Sequence, residues 1–257
     1  MAKPLPLTVA VITLNEERNL ARCLDSVRAL AAEIVVLDCG STDATADIAR
    51  RFDAKFTVQP WAGHVAQKNA ALQLCTQPWV LCLDADEMLT PELADGIHAT
   101  LSTSEPAVDG FCVNRRTWYL GAWIWHAWYP EWRLRLARRE RAEWRGIDPH
   151  DSLHVIGATS RLKGDLLHYS FRDLRDHLTK TIRYAHIMST ADDGRSFRWS
   201  EFIFSPPWAL FRRLVLKQAW RDGWRGWLIA GVSAVSSFAK SAFRLERARA
   251  TSPKPRA

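Results

Sequence analysis

Asp84, Asp86 and Glu87 close the stretch PWVLCLDADEML, where an apolar, strand-like run ends in three carboxylates interrupted by one alanine. Two carboxylates about 4 Å apart repel by roughly 4 kcal/mol at an intermediate dielectric. Something must offset that cost, or the acids must splay into water. In extended backbone, residues two apart point the same way. Asp84 and Asp86 could therefore hold one divalent cation against phosphate oxygens, a donor set that suits Mg2+ or Mn2+. An EF-hand loop beginning at Asp84 fails, because Met88 falls on a ligand position and Leu89 replaces the required glycine. Taken alone, the same acids also read as a solvated turn leading to the next helix.

A second acid, Asp38, ends another apolar run in EIVVLDCGSTDAT. A carboxylate there can accept from a ribose hydroxyl or a base N–H, while the following turn and helix start supply backbone donors. An acidic turn with a helix cap at Ser41 to Asp43 explains these residues equally simply. No GxGxxG occurs, which counts against a dinucleotide site.

The elements that must position these acids follow from hydrophobic spacing. LTVAVITL, AEIVVLD, AKFTVQ and PWVLCLD read as strands, and each is followed by a helical pattern. Leu20, Cys23, Leu24, Val27 and Leu30 recur at helical spacing after the first strand. Gly40 turns the chain into a helix with Ser41 or Thr42 as its cap. HVAQKNAALQL makes another helix, and Thr90-Pro91 starts the helix through Leu101. Strands separated by helices predict an α/β fold with a covered, mostly parallel sheet, whose ligands sit at the carboxyl ends of the strands. Asp38, Asp84 and Asp86 all fall at predicted strand ends. Beyond Asp109 the chain changes to strands and loops rich in tryptophan. SRLKGDLLHYSF is then a late strand and RDLRDHLTKTIRYAHIM an amphipathic helix.

Composition bounds the class. With 257 residues, 47% hydrophobic and 25% charged, the chain can build one large domain with an appendage. No secretory signal and no membrane span of roughly 20 apolar residues is expected. The five cysteines form no CxxC pair, so they read as reduced, buried small hydrophobes rather than a zinc site. The net charge of +7 is uneven: residues 205–257 carry 11 Lys and Arg against Asp222 and Glu246, a balance of +9. That segment mixes Trp, Phe and Leu with its basic residues and breaks at Asp222-Gly223. It reads as two helices lying in an anionic membrane interface, or as a helical hairpin packed on the body. Without a recognisable nucleic-acid motif, no nucleic-acid partner is expected.

VITLNEERNLARCLDSV, EIVVLDCGSTDAT, QKNAAL and WVLCLDADE resemble, in order and spacing, family 2 glycosyltransferases of the GT-A fold. Within that family the chain looks most like the bacterial lipopolysaccharide inner-core β-1,4-glucosyltransferases. The likeness continues through PEWRLRL, HDSL and LLHYSF and covers most of residues 5–245. It implies a Rossmann-like catalytic domain over residues 1–204; the charge and apolar pattern marks 205–250 as a basic amphipathic helical tail, and the end over 251–257 reads as disordered.

The resemblance also implies roles. Thr13, Asn15 and Glu16 would border the nucleotide of a nucleotide-sugar donor, Asp38 would contact uracil or ribose, and Lys68 would approach the diphosphate. Asp84 and Asp86 would form the DxD motif that holds donor and metal, with Glu87 supporting that loop or capping the following helix. His168 in LLHYS resembles a late histidine that reaches the metal. A transferase also needs a base to take the acceptor proton. GIDPHDSL offers Asp148 and Asp151, and Asp151 matches the family pattern better, though related sequences often place Glu there. Tryptophans from Trp118 to Trp132 could stack on sugar, and Arg133, Arg135, Arg138 and Arg139 could meet phosphates or form solvated strand faces. The implied reaction is inverting, metal-dependent transfer of a hexose, glucose from UDP-glucose, to a heptose of a lipid-anchored oligosaccharide. The enzyme would work in the cytoplasm, peripheral at the inner membrane. Alternatives are a polyprenyl-phosphate acceptor, or a non-catalytic transferase-like domain that binds membrane.

Overall fold

The structure is a computed structural model that describes residues 4–102, 106–147, 150–190 and 197–250. The chain divides into two compact units. The first holds residues 1–116 and 130–169, and the second holds 117–129 and 170–257. Residues 170–204, expected within the catalytic domain, therefore share a unit with the basic tail. The expected disordered end at 251–257 lies outside the described residues, as does Asp148.

In the first unit, strands and helices alternate as the hydrophobic pattern predicts. They are β1 (Leu5–Thr13), α1 (Leu20–Asp25), β2 (Ala31–Asp38), α2 (Thr45–Arg51), β3 (Lys55–Val58), α3 (His64–Gln73) and β4 (Trp79–Asp84). A three-residue strand β5 (Glu87–Leu89), helix α4 (Pro91–Ser102), β6 (Gly110–Tyr119), β7 (Ala122–Trp123), β8 (Trp132–Arg138), β9 (Ala142–Ile147), β10 (His150–Val155) and β11 (Thr159–His168) follow, of which β7 and the last residues of β6, from Thr117, belong to the second unit. The main sheet has the order β3-β2-β1-β4-β8-β6-β11-β5, with β7 paired to β6. Strands β3, β2, β1 and β4 run parallel, whereas β8 enters antiparallel to β4. The chain leaves β1 for β2 and β3 on one side and returns to β4 on the other. A crevice at the carboxyl ends of β1 and β4 follows from that reversal.

Alternation along β1 fills both faces of the sheet. Leu7, Val9 and Val11 join one buried cluster with Leu20, Leu24 and Leu93, while Ala10 joins a second with Val35, Leu37 and Leu72. The helix expected over 15–30 is regular only at Leu20–Asp25. It ends where the Ser26 hydroxyl donates to the Cys23 carbonyl, yet Val27 and Leu30 stay buried in the turns beyond. Helix α4 is capped as expected, by Thr90 Oγ1 accepting from the Leu93 N–H at 3.3 Å. Cys23, Cys75 and Cys82 are buried, and burial raises all three thiol pKa values.

Gly164 has φ +88°, and a Cβ built there would lie 2.4 Å from the Leu93 backbone nitrogen. Both backbone strain and steric overlap oppose any side chain at that position. Gly164→Ala is expected to lower the melting temperature by about 5–10 °C, from roughly 2–3 kcal/mol of strain. A thermal melt followed by circular dichroism checks this, and an unchanged midpoint would contradict it.

The second unit contains α5 (Leu174–Thr190), α6 (Trp199–Phe211) and α7 (Trp224–Ala250), with a π-type turn at Arg212–Leu216 and a 3-10 turn at Ala219–Asp222. The break anticipated at Asp222-Gly223 is present, with Gly223 at φ +64°. Its core is aromatic: Tyr119 packs on Trp128, Phe171 and His177, and the Tyr119 hydroxyl meets His177 Nδ1 at 2.8 Å. Burial pushes the His177 pKa down to about 4, so the ring is neutral at pH 7. Among the described residues no helix is long and apolar enough to cross a membrane.

Candidate active site

The carboxyl edge of the parallel strands collects the predicted residues of the first unit. Register places Thr13 opposite Asp38 on one side of β1 and Ile12 opposite Asp84 on the other. Asp38 and Asp84 therefore share one sheet edge, about two strand spacings or ~10 Å apart.

Asp38 is almost completely buried and accepts four hydrogen bonds. They come from Thr13 Oγ1 at 2.7 Å, the Gly40 N–H at 2.8 Å, and the N–H and hydroxyl of Ser41 at 2.6 and 2.5 Å. Burial favours its neutral form, but these donors outweigh burial and hold the pKa below the usual carboxylate range. Four acceptances approach the capacity of a carboxylate, so Asp38 braces the turn that Gly40 makes at φ +96°. Ser41 is occupied there and is not the cap of α2; its first turn is met instead by Asp43 Oδ1, which accepts from the Thr45 N–H at 3.0 Å. Asn15, at φ +56°, ties the first loop to this turn by accepting from the Thr42 N–H at 2.9 Å. The Glu16 N–H donates to Thr45 Oγ1 at 2.8 Å. Thr13, Asn15 and Glu16 thus line the ends of β1 and β2, as their position in the sequence predicts.

The protein's own cations offset the acids of the DADE turn. Lys68 Nζ lies 2.8 Å from Asp84 Oδ1, and Arg135 lies 2.8 Å from Asp84 Oδ2 and 2.6 Å from Glu87 Oε1. Arg115 adds a contact to Glu87 at 3.4 Å and pairs with Glu131 at 2.8 Å. Burial opposes the charge on Asp84, yet Lys68 and Arg135 hold its pKa well below the usual range. Burial likewise disfavours the charged Lys68, but Asp84 and then Asp151 raise its pKa. Glu87 is buried, and its Oε2 accepts from the Asp84 N–H at 3.0 Å, so it supports the loop and does not cap α4.

Asp86 sits differently. Its partner is His168, with Nε2 3.5 Å from Oδ2. Burial pushes its pKa up, but His168 outweighs burial and leaves it below the ordinary value. The pairing of β11 with β5 sets His168 opposite Glu87, and the Tyr169 N–H donates to the Asp86 carbonyl at 2.9 Å. An imidazole rather than a permanent cation therefore faces this carboxylate.

Asp151 joins the site through the β9–β10 hairpin, in register with Gly146. Its Oδ2 accepts from Lys68 Nζ at 2.7 Å, so one ammonium bridges Asp84 and Asp151. Helix α3 fixes that hairpin: Asn69 Nδ2 donates to the Trp144 carbonyl at 2.9 Å, and the Trp144 N–H donates to Asn69 Oδ1 at 2.9 Å. Trp144 is buried with Lys68 4.3 Å from its ring centroid. Lys68 and Asn69 thus bind the sheet edge and the hairpin together.

Among the four arginines considered for phosphates, Arg135 is neither exposed nor solvated but buried in the acidic cluster. Arg133 pairs with Glu131 at 2.6 Å, Arg138 with Asp109 at 3.2 Å and Arg139 with Glu140 at 3.3 Å. Trp118, Trp123, Trp125 and Trp128 belong to the second unit. In the first unit Trp132 is exposed, and Arg161 lies 4.5 Å from its ring centroid. Motif spacing does not single out Asn69 or Arg115, and it assigns Arg135 to phosphates or a solvated face rather than to the acids it meets. The alternation Arg133-Leu134-Arg135-Leu136 on a strand was the available signal, since it sends Arg133 and Arg135 to the same side as each other.

Among the described residues no cluster of three or more His, Cys, Asp or Glu is arranged as a metal centre. The donor set still fits a divalent cation, because Asp86 and His168 face each other and such ions commonly keep one or two protein ligands and take the rest from phosphate and water. Asp84 pairs with Lys68 and Arg135, and its charge works against the lowered pKa of Asp86.

Residues 8–166 match the model of the family described as Glycosyl transferase family 2. A lipopolysaccharide core biosynthesis glycosyltransferase, LpsC of Rhizobium meliloti, is 32% identical over 94% of this chain and 93% of its own length. This chain belongs to glycosyltransferase family 2. An uncharacterized glycosyltransferase of Rickettsia typhi is 45% identical over 36% of this chain, and the match spans 32% of that relative. The solved mannosyltransferase PcManGT of Pyrobaculum calidifontis superposes with a TM-score of 0.50 at 20% identity, covering 99% of this chain and 78% of the other. The fold of this family 2 glycosyltransferase is thus GT-A, a mixed sheet flanked by helices, and the chain is an enzyme of the transferase class.

Proposed function

We propose that this glycosyltransferase moves a hexose, glucose from UDP-glucose, with inversion onto a heptose of a lipid-anchored lipopolysaccharide inner core. Near full-length similarity to LpsC, named as a lipopolysaccharide core biosynthesis enzyme, supports the pathway. The observation that carries the chemistry is Lys68, whose ammonium lies within 2.8 Å of both Asp84 at the sheet edge and Asp151 on the hairpin.

In this reading the donor nucleotide lies along the ends of β1 and β2, bordered by Thr13, Asn15 and Glu16, with Asp38 shaping the loop. Asp86 and His168 would hold Mg2+ or Mn2+. When bound, the cation stabilises negative charge on the departing diphosphate. Lys68 meets the same diphosphate, whose greater negative charge draws the ammonium from Asp151. Asp151 then takes the proton from the acceptor hydroxyl as that oxygen attacks the anomeric carbon from the face opposite the diphosphate. The basic tail brings the enzyme to the anionic cytoplasmic face of the inner membrane, where a lipid-anchored acceptor resides.

UDP release measured with core-oligosaccharide acceptor and Mn2+ or Mg2+ tests the reaction, and a screen of UDP- and GDP-sugars tests the donor. Asp86→Asn is expected to weaken metal-dependent UDP binding in calorimetry by about 10–100-fold. Equal binding by the variant and the parent protein would remove Asp86 from the metal site.

A further inference from the structure

The second unit contains a helix that is apolar on its outward side as well as on its inner side, where Phe202 packs 5.1 Å from Phe238. Along α6 and the π-type turn after it, the exposed positions recur every four residues: 203/204, 207/208, 211/212 and 215/216. Ile203, Phe204, Trp208, Phe211, Val215 and Leu216 occupy six of these eight positions, with Pro207 and Arg212 at the other two; Phe204 is 68% and Trp208 56% exposed. A helix on a water-soluble body carries polar residues on its outer stripe and apolar ones toward its neighbour. Here Glu201 instead pairs with Arg244 of α7 at 3.6 Å. Trp220 in the turn that follows, and Trp224 and Trp227 at the start of α7, are each more than half exposed. So extensive an exposed apolar face marks an interaction surface.

Charge selects the partner. Arg212, Lys217 and Arg221 are exposed along the same hairpin. Its acids are spent: Glu201 on Arg244, and Asp222 on the backbone N–H groups of Trp125, His126 and Ala127 at 2.7–3.1 Å. A second copy docking face to face would bring like charges together, whereas an anionic headgroup layer over a hydrocarbon interior satisfies both features. No described helix can cross a bilayer, so the fitting geometry is a hairpin lying within one leaflet.

We infer that residues 199–227 insert into a single lipid leaflet and hold the protein there chiefly by apolar burial, with the basic residues in a secondary role. This goes beyond electrostatic adsorption of a basic tail, and it rests on the second unit alone. Its failure would leave the donor chemistry untouched, and loss of donor binding would leave it intact.

The intact protein is floated with vesicles of phosphatidylcholine and phosphatidylglycerol at about 0.1 M and about 1 M NaCl, between which the Debye length falls from ~10 Å to ~3 Å. Apolar insertion predicts that the bound fraction falls less than about twofold, and that brominated acyl chains quench tryptophan fluorescence. The triple variant Phe204→Ser, Trp208→Ser, Leu216→Ser is expected to lower vesicle partitioning at least about tenfold, with an unchanged circular dichroism spectrum. Complete release at high salt, or equal partitioning by the folded triple variant, would overturn the inference. So would a lipid-free dimer that the same variant makes monomeric, because the face would then belong to a second copy. If the triple variant fails to fold, the salt and quenching results on the parent protein decide the matter.

Discussion

Asp151→Asn is expected to reduce acceptor-dependent UDP release by about 10²–10⁴-fold, the range that a general base contributes, while changing UDP affinity by less than about threefold. The separation follows from the ion-pair geometry. Asparagine cannot accept the acceptor proton, but Lys68 keeps its 2.8 Å contact with Asp84, so the donor side of the site keeps its cation. The hairpin that carries position 151 is held by the two Asn69–Trp144 hydrogen bonds, neither of which involves the substituted side chain. Initial rates at saturating donor, paired with calorimetry on UDP, measure both halves. Turnover within threefold of the parent would assign the base to another carboxylate, with Asp148 the next to substitute.

The largest effect on stability belongs to Arg135→Met. Arg135 is 5% exposed and reaches both Asp84 and the buried Glu87. Burial disfavours its charge, but Glu87 and then Asp84 raise its pKa, so it stays protonated at any working pH. Methionine fills a similar volume yet leaves Glu87 with Arg115 at 3.4 Å as its remaining ion-pair contact among those described. Removing one member of a buried pair costs about 3–5 kcal/mol, because the other charge keeps its desolvation penalty. For a chain of this length that corresponds to a fall of roughly 6–20 °C in melting temperature. The double variant Arg135→Met, Glu87→Gln should recover part of the loss, since it removes the stranded charge along with its partner. A coupling energy below about 0.5 kcal/mol in that cycle would mean the two side chains act independently.

The two effects are linked by one design. Asp84 at the sheet edge is kept ionised by Lys68 and Arg135, Glu87 pairs with Arg135 and Arg115, and Asp86 faces an imidazole. Charge balance built from arginine and lysine lets the cluster exist without a bound ion, so loss of metal is expected to affect binding before it affects folding.

What the chain determined locally was extensive. Alternating apolar runs specified β1 to β4 and the helices between them, because a parallel sheet buried on both faces needs continuous hydrophobic strands. Motif spacing then placed Asp38 and Asp84 at strand ends, where the crevice lies. Thr90, through its hydroxyl, and Gly223, through its backbone freedom, marked a helix start and a hairpin break that depend only on nearby residues. The rest depended on partners far away in the chain. His168 reaches Asp86 because β11 pairs with the short β5, a register that no local spacing encodes. Asp151 meets Asp84 only through Lys68, and Arg135 is buried because the antiparallel β8 lies beside β4 with that side chain turned toward the acids. Periodicity reports which residues are apolar and how often they recur; it cannot report which buried charge will find which counter-charge. That choice is made when strands distant in sequence come within ~5 Å of each other and every desolvated charge must be met.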